Sequence, residues 1–214
     1  MQLIQVKGSP FAARARLLIY RKDAPVEMVF PPREGLKSPD FLAINPLGKI
    51  PVLTLDDGSH LPESNVILDY LEDKFPEPPL RPATPEARAR MHLLMQIGDL
   101  YVFAAIGKLF RQMNPEKRDP ETVEQGFADL AKALAHLEHY LGDRGFAVDD
   151  AYSLADCSLV PVLFFVAVME KSFQRKDVFG KGKLAAYWAE IRHDDTTARV
   201  IAELEDGVRR LLMR

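Results

Sequence analysis

The residues best placed to do chemistry lie at three turns. The first, Gly8-Ser9-Pro10-Phe11-Ala12-Ala13-Arg14-Ala15-Arg16, directly follows a short apolar run. Serine at N-cap and proline at N1 are a favoured way to open a helix, so Ser9 reads first as a cap. The same hydroxyl, at the positive end of a helix and among free N–H groups, is also able to stabilise an anion such as a thiolate. The second turn, Asn45-Pro46-Leu47-Gly48-Lys49-Ile50-Pro51-Val52-Leu53, leads into a strand. It reads either as a plain turn and edge strand or as a cis Ile50–Pro51 bond. A cis bond would leave the main chain of Ile50 to pair with the backbone of a peptide-like ligand. The third is Leu61-Pro62-Glu63-Ser64-Asn65-Val66-Ile67. Ser64 is a good N-cap, or else its hydroxyl and the unpaired helix N–H groups hold a carboxylate while Glu63 accepts from an ammonium. An α-amino-acid head group carries both charges.

Other side chains read more simply. Arg14 and Arg16 suit solvated or structural ion pairs. Cys157 falls in the first turn of an apolar helix, where a small inert core residue is expected. His136 and His139 could share a helix face, but two imidazoles with no third ligand in sequence reach make a poor metal site, so no metal is expected.

The elements that must position these turns follow two patterns. Thirteen of the sixteen prolines lie at or before position 85, and F-P-E-P-P-L-R-P-A-T-P over residues 75–85 predicts an extended connector. Before it, apolar stretches over 2–6, 26–30 and 52–55 alternate with helical patterns over 10–22, Pro39–Ile44 and Ser64–Lys74. Leu55-Asp56-Asp57-Gly58-Ser59 carries a hairpin signal. The order is β-α-β-α-β-β-α. After the connector, residues 88–113 and 122–141 have helical spacing, and Ser153-Leu154-Ala155-Asp156 has the form of a capping box that opens a buried helix over the 159–169 apolar run. Pro161 should kink that helix. The stripe Arg88, Met91, Leu94, Met95 suits either an intradomain core or a contact with a second copy. The expected division is 1–76 α/β, 77–85 linker and 86–214 all-helical.

Composition excludes several classes. The 214 residues are 47% hydrophobic and 28% charged, enough for a sizeable core and unlike a disordered or fibrous chain. Twenty-eight bases against thirty-one acids give a net charge of −3, so nucleic acid is not the expected partner. One cysteine, no secretory h-region at the start and no apolar run near the ~20 residues of a bilayer span point to a cytoplasmic protein without a membrane anchor.

Taken together, S-P-F-A-A-R-A-R at 9–16, N-P-L-G-K-I-P-V-L at 45–53, E-S-N-V-I-L-D-Y-L at 63–71 and S-L-A-D at 153–156 resemble the glutathione transferase superfamily. The resemblance spans both parts of the chain. It implies an N-terminal thioredoxin-like domain and a C-terminal helical bundle. It also implies glutathione as co-substrate, a small hydrophobic electrophile and a homodimer. By the same resemblance, Ser9 contacts the glutathione sulfur, Ile50 before cis Pro51 pairs with the cysteinyl backbone, and Glu63 and Ser64 hold the γ-glutamyl head. Lys37 resembles a residue reaching the glycyl end, and Phe11 and Tyr101 are candidates to line the ligand sites. The departure is at position 9. Relatives reading C-P-F-A use that cysteine for thiol transfer, which Ser9 excludes, and the S-S-C-S turn of the maleylacetoacetate isomerase branch is absent too. Serine-type activation of glutathione remains, with a non-catalytic binding or regulatory protein as the rival reading.

Overall fold

The structure is a computed structural model that describes residues 1–212. It divides into two compact units, Met1–Leu80 together with the chain from Asp195 on, and Arg81–Asp194.

The first unit is built on a four-stranded sheet of order β2-β1-β3-β4. Strand β1 (Gln2–Ile4) runs parallel to β2 (Glu27–Val29) and antiparallel to β3 (Val52–Thr54), which pairs antiparallel with β4 (His60–Pro62). The β1-to-β2 connection is α1 (Pro10–Arg21), since parallel strands need a crossover. The β3–β4 pair closes through the expected hairpin, with Gly58 at φ 83°. Helix α2 (Pro39–Ile44) covers one sheet face through Phe41, packed with Ile4 and Val52. Helix α3 (Ser64–Lys74) packs on α1. This is the expected thioredoxin-like order.

Helix α1 has no solvent face between Ala12 and Ile19. The reason is a helix that the sequence pattern grouped with the second domain: α9 (Asp195–Leu212) packs against α1 and buries Thr197, Val200 and Leu204 on one stripe. The unit is closed by a buried pair, Lys22 Nζ to Glu72 at 2.8 Å. Both residues also hold the connector, Lys22 donating to the Pro78 carbonyl and Glu72 accepting from Leu80 N–H.

The second unit is helical. Helix α4 (Pro85–Ile97) continues through a π-helical turn (Gly98–Val102) into α5 (Phe103–Phe110), and α6 (Pro120–Tyr140), α7 (Leu154–Ser172) and α8 (Lys183–Ile191) complete it. The stretch Pro85–Phe110 is apolar enough by composition to cross a membrane; here it is the core helix that packs on α6 and α7. Met91, Leu94 and Met95 are buried within the chain itself, so that stripe is an internal core. Helix α7 runs through Pro161 and is buried along most of its length. Its capping box is present: Asp156 accepts from Ser153 N–H and Oγ–H, and additionally from Ala147 N–H and Tyr187 Oη–H at 2.8–2.9 Å. Burial pushes the Asp156 carboxyl above the usual carboxylate value, against those four donors.

Candidate active site

Three loops of the first unit meet at one cleft of about 370 Å³. Phe11 comes from the start of α1, Asn45, Lys49, Ile50 and Pro51 from the loop entering β3, and Glu63 and Ser64 from the start of α3. The Ile50–Pro51 peptide is cis, as the sequence suggested. Asn45 is buried and shapes this loop, donating from Nδ2 to the Lys49 carbonyl at 2.8 Å and accepting from Leu47 N–H at 3.1 Å. Lys49 is exposed and lines the cleft.

The start of α3 differs from the expected cap. Glu63, not Ser64, is the N-cap, at φ 70° and ψ 117°, and its side chain makes no capping bond. A glutamate at positive φ is strained, and such strain concentrates where a site needs it. The consequence is that Ser64 becomes the first helical residue and its hydroxyl is released from capping. The first-turn N–H groups have no side-chain cap, so they keep the anion-binding capacity of a helix N-terminus.

Ser64 is oriented from below. The Arg14 guanidinium, only 1% exposed, donates to Ser64 Oγ and to Asn65 Oδ1, each at 3.3 Å, and stacks 5.1 Å from the Phe11 ring. Because Oγ already accepts from Arg14, the Ser64 proton is left to donate, and among the described residues it has no protein acceptor. The start of α3, with Ser64 backed by Arg14 and with Glu63 beside it, thus puts helix N–H groups, a hydroxyl and a carboxylate at one corner of the cleft.

Ser9 caps α1 as expected, accepting from Ala12 N–H at 3.2 Å. It lies two residues before Phe11 and is not among the residues lining the cleft. The cap uses an Oγ lone pair and leaves the Ser9 proton free to donate, so capping and anion stabilisation do not compete. Lys37 does not line the cleft either: its ammonium lies over Gly48, 3.5 Å from the Leu47 carbonyl. Tyr101 belongs to the second unit, 54% exposed, on a groove between α5 and α6 where its ring meets His136 edge-on. Cys157 is buried, and no group of three or more His, Cys, Asp or Glu among the described residues could hold a metal ion. Sequence reasoning missed Asn45 and Lys49 as parts of the cleft and Arg14 as the buried support beneath Ser64. For Lys49 the signal was its place directly before Ile50-Pro51; for Arg14 there was none, because its partners lie 50 and 51 residues away.

The profile described as "Glutathione S-transferase, N-terminal domain" matches residues 3–79, and "Glutathione S-transferase, C-terminal domain" matches 100–195. The chain belongs to the glutathione S-transferase family. It is 35% identical over 133 residues to a maleylacetoacetate isomerase from Pseudomonas aeruginosa, covering 60% of this chain and 61% of that protein. It is 33% identical over 127 residues to a stringent starvation protein A homolog from Coxiella burnetii, covering 59% and 57%. The alignments thus span about three-fifths of the length of both relatives. The crystal structure of a glutathione S-transferase from Methylobacterium radiotolerans, in complex with glutathione sulfonate, superposes with a TM-score of 0.75 at 27% identity, covering 94% of this chain and 93% of that one. As a glutathione S-transferase fold, the first unit has its helix starts and its cis-proline loop on the side where the cleft forms.

Proposed function

We propose that this protein is a glutathione transferase that binds glutathione in the cleft of the first unit and delivers its thiolate to a small hydrophobic electrophile. The observation that carries this reading is the convergence of cis Ile50–Pro51 with the Glu63–Ser64 start of α3 in one cleft. Glutathione carries two carboxylates and one ammonium. The α3 N–H groups and the Ser64 hydroxyl take the γ-glutamyl carboxylate, Glu63 takes its ammonium, and the Ile50 main chain pairs with the cysteinyl backbone. Lys49, rather than Lys37, takes the glycyl carboxylate.

With the peptide held this way, Ser9 Oγ–H and the α1 N-terminus stabilise the sulfur as an anion. Lowering a thiol pKa of ~8.5 by about two units requires ~2.7 kcal/mol of differential stabilisation, within reach of one hydrogen bond to an anion plus a helix end. The thiol proton passes to solvent, the sulfur lone pair attacks the electrophilic carbon, and a leaving group departs with its electron pair. Tyr101 is proposed to contact the electrophile, and the protein is proposed to work as a homodimer in the cytoplasm.

The likeness to a stringent starvation protein A homolog favours a second reading, a non-catalytic binder on the same fold. Titration calorimetry with glutathione, followed by turnover with a chloronitroaromatic, a peroxide and a cis-conjugated acid of the maleyl type, separates the two. Binding with turnover of any one supports the transferase; binding with none supports the binder; failure to bind glutathione refutes both. A sedimentation mass of one 24.1 kDa chain at micromolar concentration refutes the dimer.

A further inference from the structure

The turn that carries Ser9 is held from outside by α9. Residues Gly8 and Gly207 meet backbone to backbone: a Cβ on Gly207 would collide with the amide nitrogen and the Cα of Gly8. A Cβ on Gly8 would stand 3.0 Å from the Gly207 carbonyl carbon. No side chain fits between them.

A second contact converges on the same turn. Arg16, buried on α1, reaches back past the helix start, its Nη1 donating to Gln5 Oε1 at 2.7 Å and the Val6 carbonyl at 3.3 Å, and its Nη2 to the Lys7 carbonyl at 2.8 Å. The Val6 carbonyl also accepts from Ser9 N–H at 3.1 Å, so Arg16 and Ser9 share one acceptor. The guanidinium is itself held by α9, Nε lying 2.9 Å from Glu203. Glu203 accepts from Tyr20 Oη–H at 3.1 Å, and Arg199 stacks on the Tyr20 ring at 3.6 Å. A carboxylate on α9 thus anchors the cation that fixes both carbonyls leading into the turn.

We propose that α9, through Gly207 and the Glu203–Arg16 pair, is the scaffold that positions Ser9 for anion stabilisation. The inference rests on the glutathione reading for its catalytic meaning. The geometry of the turn is testable without glutathione. Gly207, Glu203 and Arg16 touch no ligand on this account; they are positioning residues. Head-group binding uses the β3 loop and the start of α3, so a displaced Ser9 turn should alter thiol ionisation and leave glutathione affinity nearly unchanged.

The experiment measures the alkylation rate against pH of a thiol placed at the turn by Ser9→Cys, alone and combined with Gly207→Ala, Gly8→Ala or Val200→Ala. Val200 is buried on the same helix away from the turn contact and reports loss of α9 packing alone. At a helix N-terminus the thiol should titrate below ~8.5. Gly207→Ala should return it toward that value by about one unit, a roughly tenfold loss of thiolate at lower pH. Gly8→Ala, with the looser contact, should shift it less, and Val200→Ala should lower the melting temperature without a shift. In the protein that keeps Ser9, Gly207→Ala should move the pKa of bound glutathione the same way, with glutathione affinity within about threefold. Should Gly207→Ala not fold, the Gly8→Ala shift decides. A thiol pKa in Ser9→Cys that neither glycine variant changes, or that Val200→Ala moves as much, overturns the proposal. Wild-type protein that binds no glutathione while the glycine variants still shift the Ser9→Cys thiol refutes the glutathione reading and leaves α9 as the scaffold of the turn.

Discussion

Ser64→Ala is the sharpest test of the cleft, because the structure removes the explanation that would otherwise blur it. Were Ser64 an N-cap, its loss would weaken α3 and any change in binding could be indirect. It is the first helical residue instead, with Glu63 as N-cap, so capping contributes nothing to the difference. Two effects remain. The buried Arg14 Nη1 loses the Ser64 acceptor and keeps Asn65 Oδ1, a lost hydrogen bond worth about 1 kcal/mol. For a chain of this size that lowers the melting temperature by roughly 2–4 °C per kcal/mol. The second effect is the hydroxyl proton aimed at the ligand carboxylate, a charged hydrogen bond worth about 1.5–3 kcal/mol, or roughly ten- to a hundredfold in glutathione affinity. Calorimetric titration and a thermal melt on the same samples separate the two. Arg14→Met should also weaken binding, and in the double variant the two losses should be less than additive, because both remove the one oriented proton. Unchanged affinity in Ser64→Ala beside a lowered melting temperature would show that Ser64 serves only as an acceptor for Arg14.

Ser9→Ala should raise the pKa of bound glutathione and cut conjugation at neutral pH, with partial recovery at higher pH and a cap's loss of about 1 kcal/mol in stability; an unchanged pH–rate profile refutes the role of the hydroxyl. Lys22→Met should lower stability in chemical denaturation, because the buried Glu72 carboxylate loses its ammonium partner while keeping the Leu80 N–H, and Glu72→Leu in the same protein should recover part of the loss. Asp156→Asn should destabilise the protein, since an amide cannot accept from all four donors. The Asp156 carboxyl is raised by burial, so its stabilising contribution is complete below the unfolded value of ~3.9 and falls as pH rises through the folded value. The stability gap between wild type and Asp156→Asn should therefore narrow from pH ~4 upward, and denaturant melts showing it widen contradict the assignment.

Much of the first unit was legible because its signals are local. Ser9-Pro10 caps a helix and Asp57-Gly58 closes a hairpin through interactions among residues adjacent in the chain, whereas the cis form of Ile50-Pro51 was one of two readings the sequence left open. The capping box at Ser153 and Asp156 is equally local, and the structure has both of its halves. The order of strands and helices followed from apolar periodicity, and with it the two kinds of architecture.

What the tertiary structure decided depends on residues far apart in sequence. The apolar stripe of α9 is as compatible with a bundle as with α1, and only the contact of Val200 and Leu204 in the first unit assigns it. Arg14 and Arg16 look alike in the sequence, two residues apart on one helix. Arg14 is buried under Ser64 and Asn65, whereas Arg16 turns to the carbonyls that follow β1 and to Glu203. A charged side chain becomes buried only where partners satisfy it, and for Arg14 those partners are supplied by an element 50 residues away. The start of α3 shows the same limit at shorter range. Capping preference favours Ser64, but Glu63 takes the N-cap at positive φ and the helix begins with a serine that caps nothing.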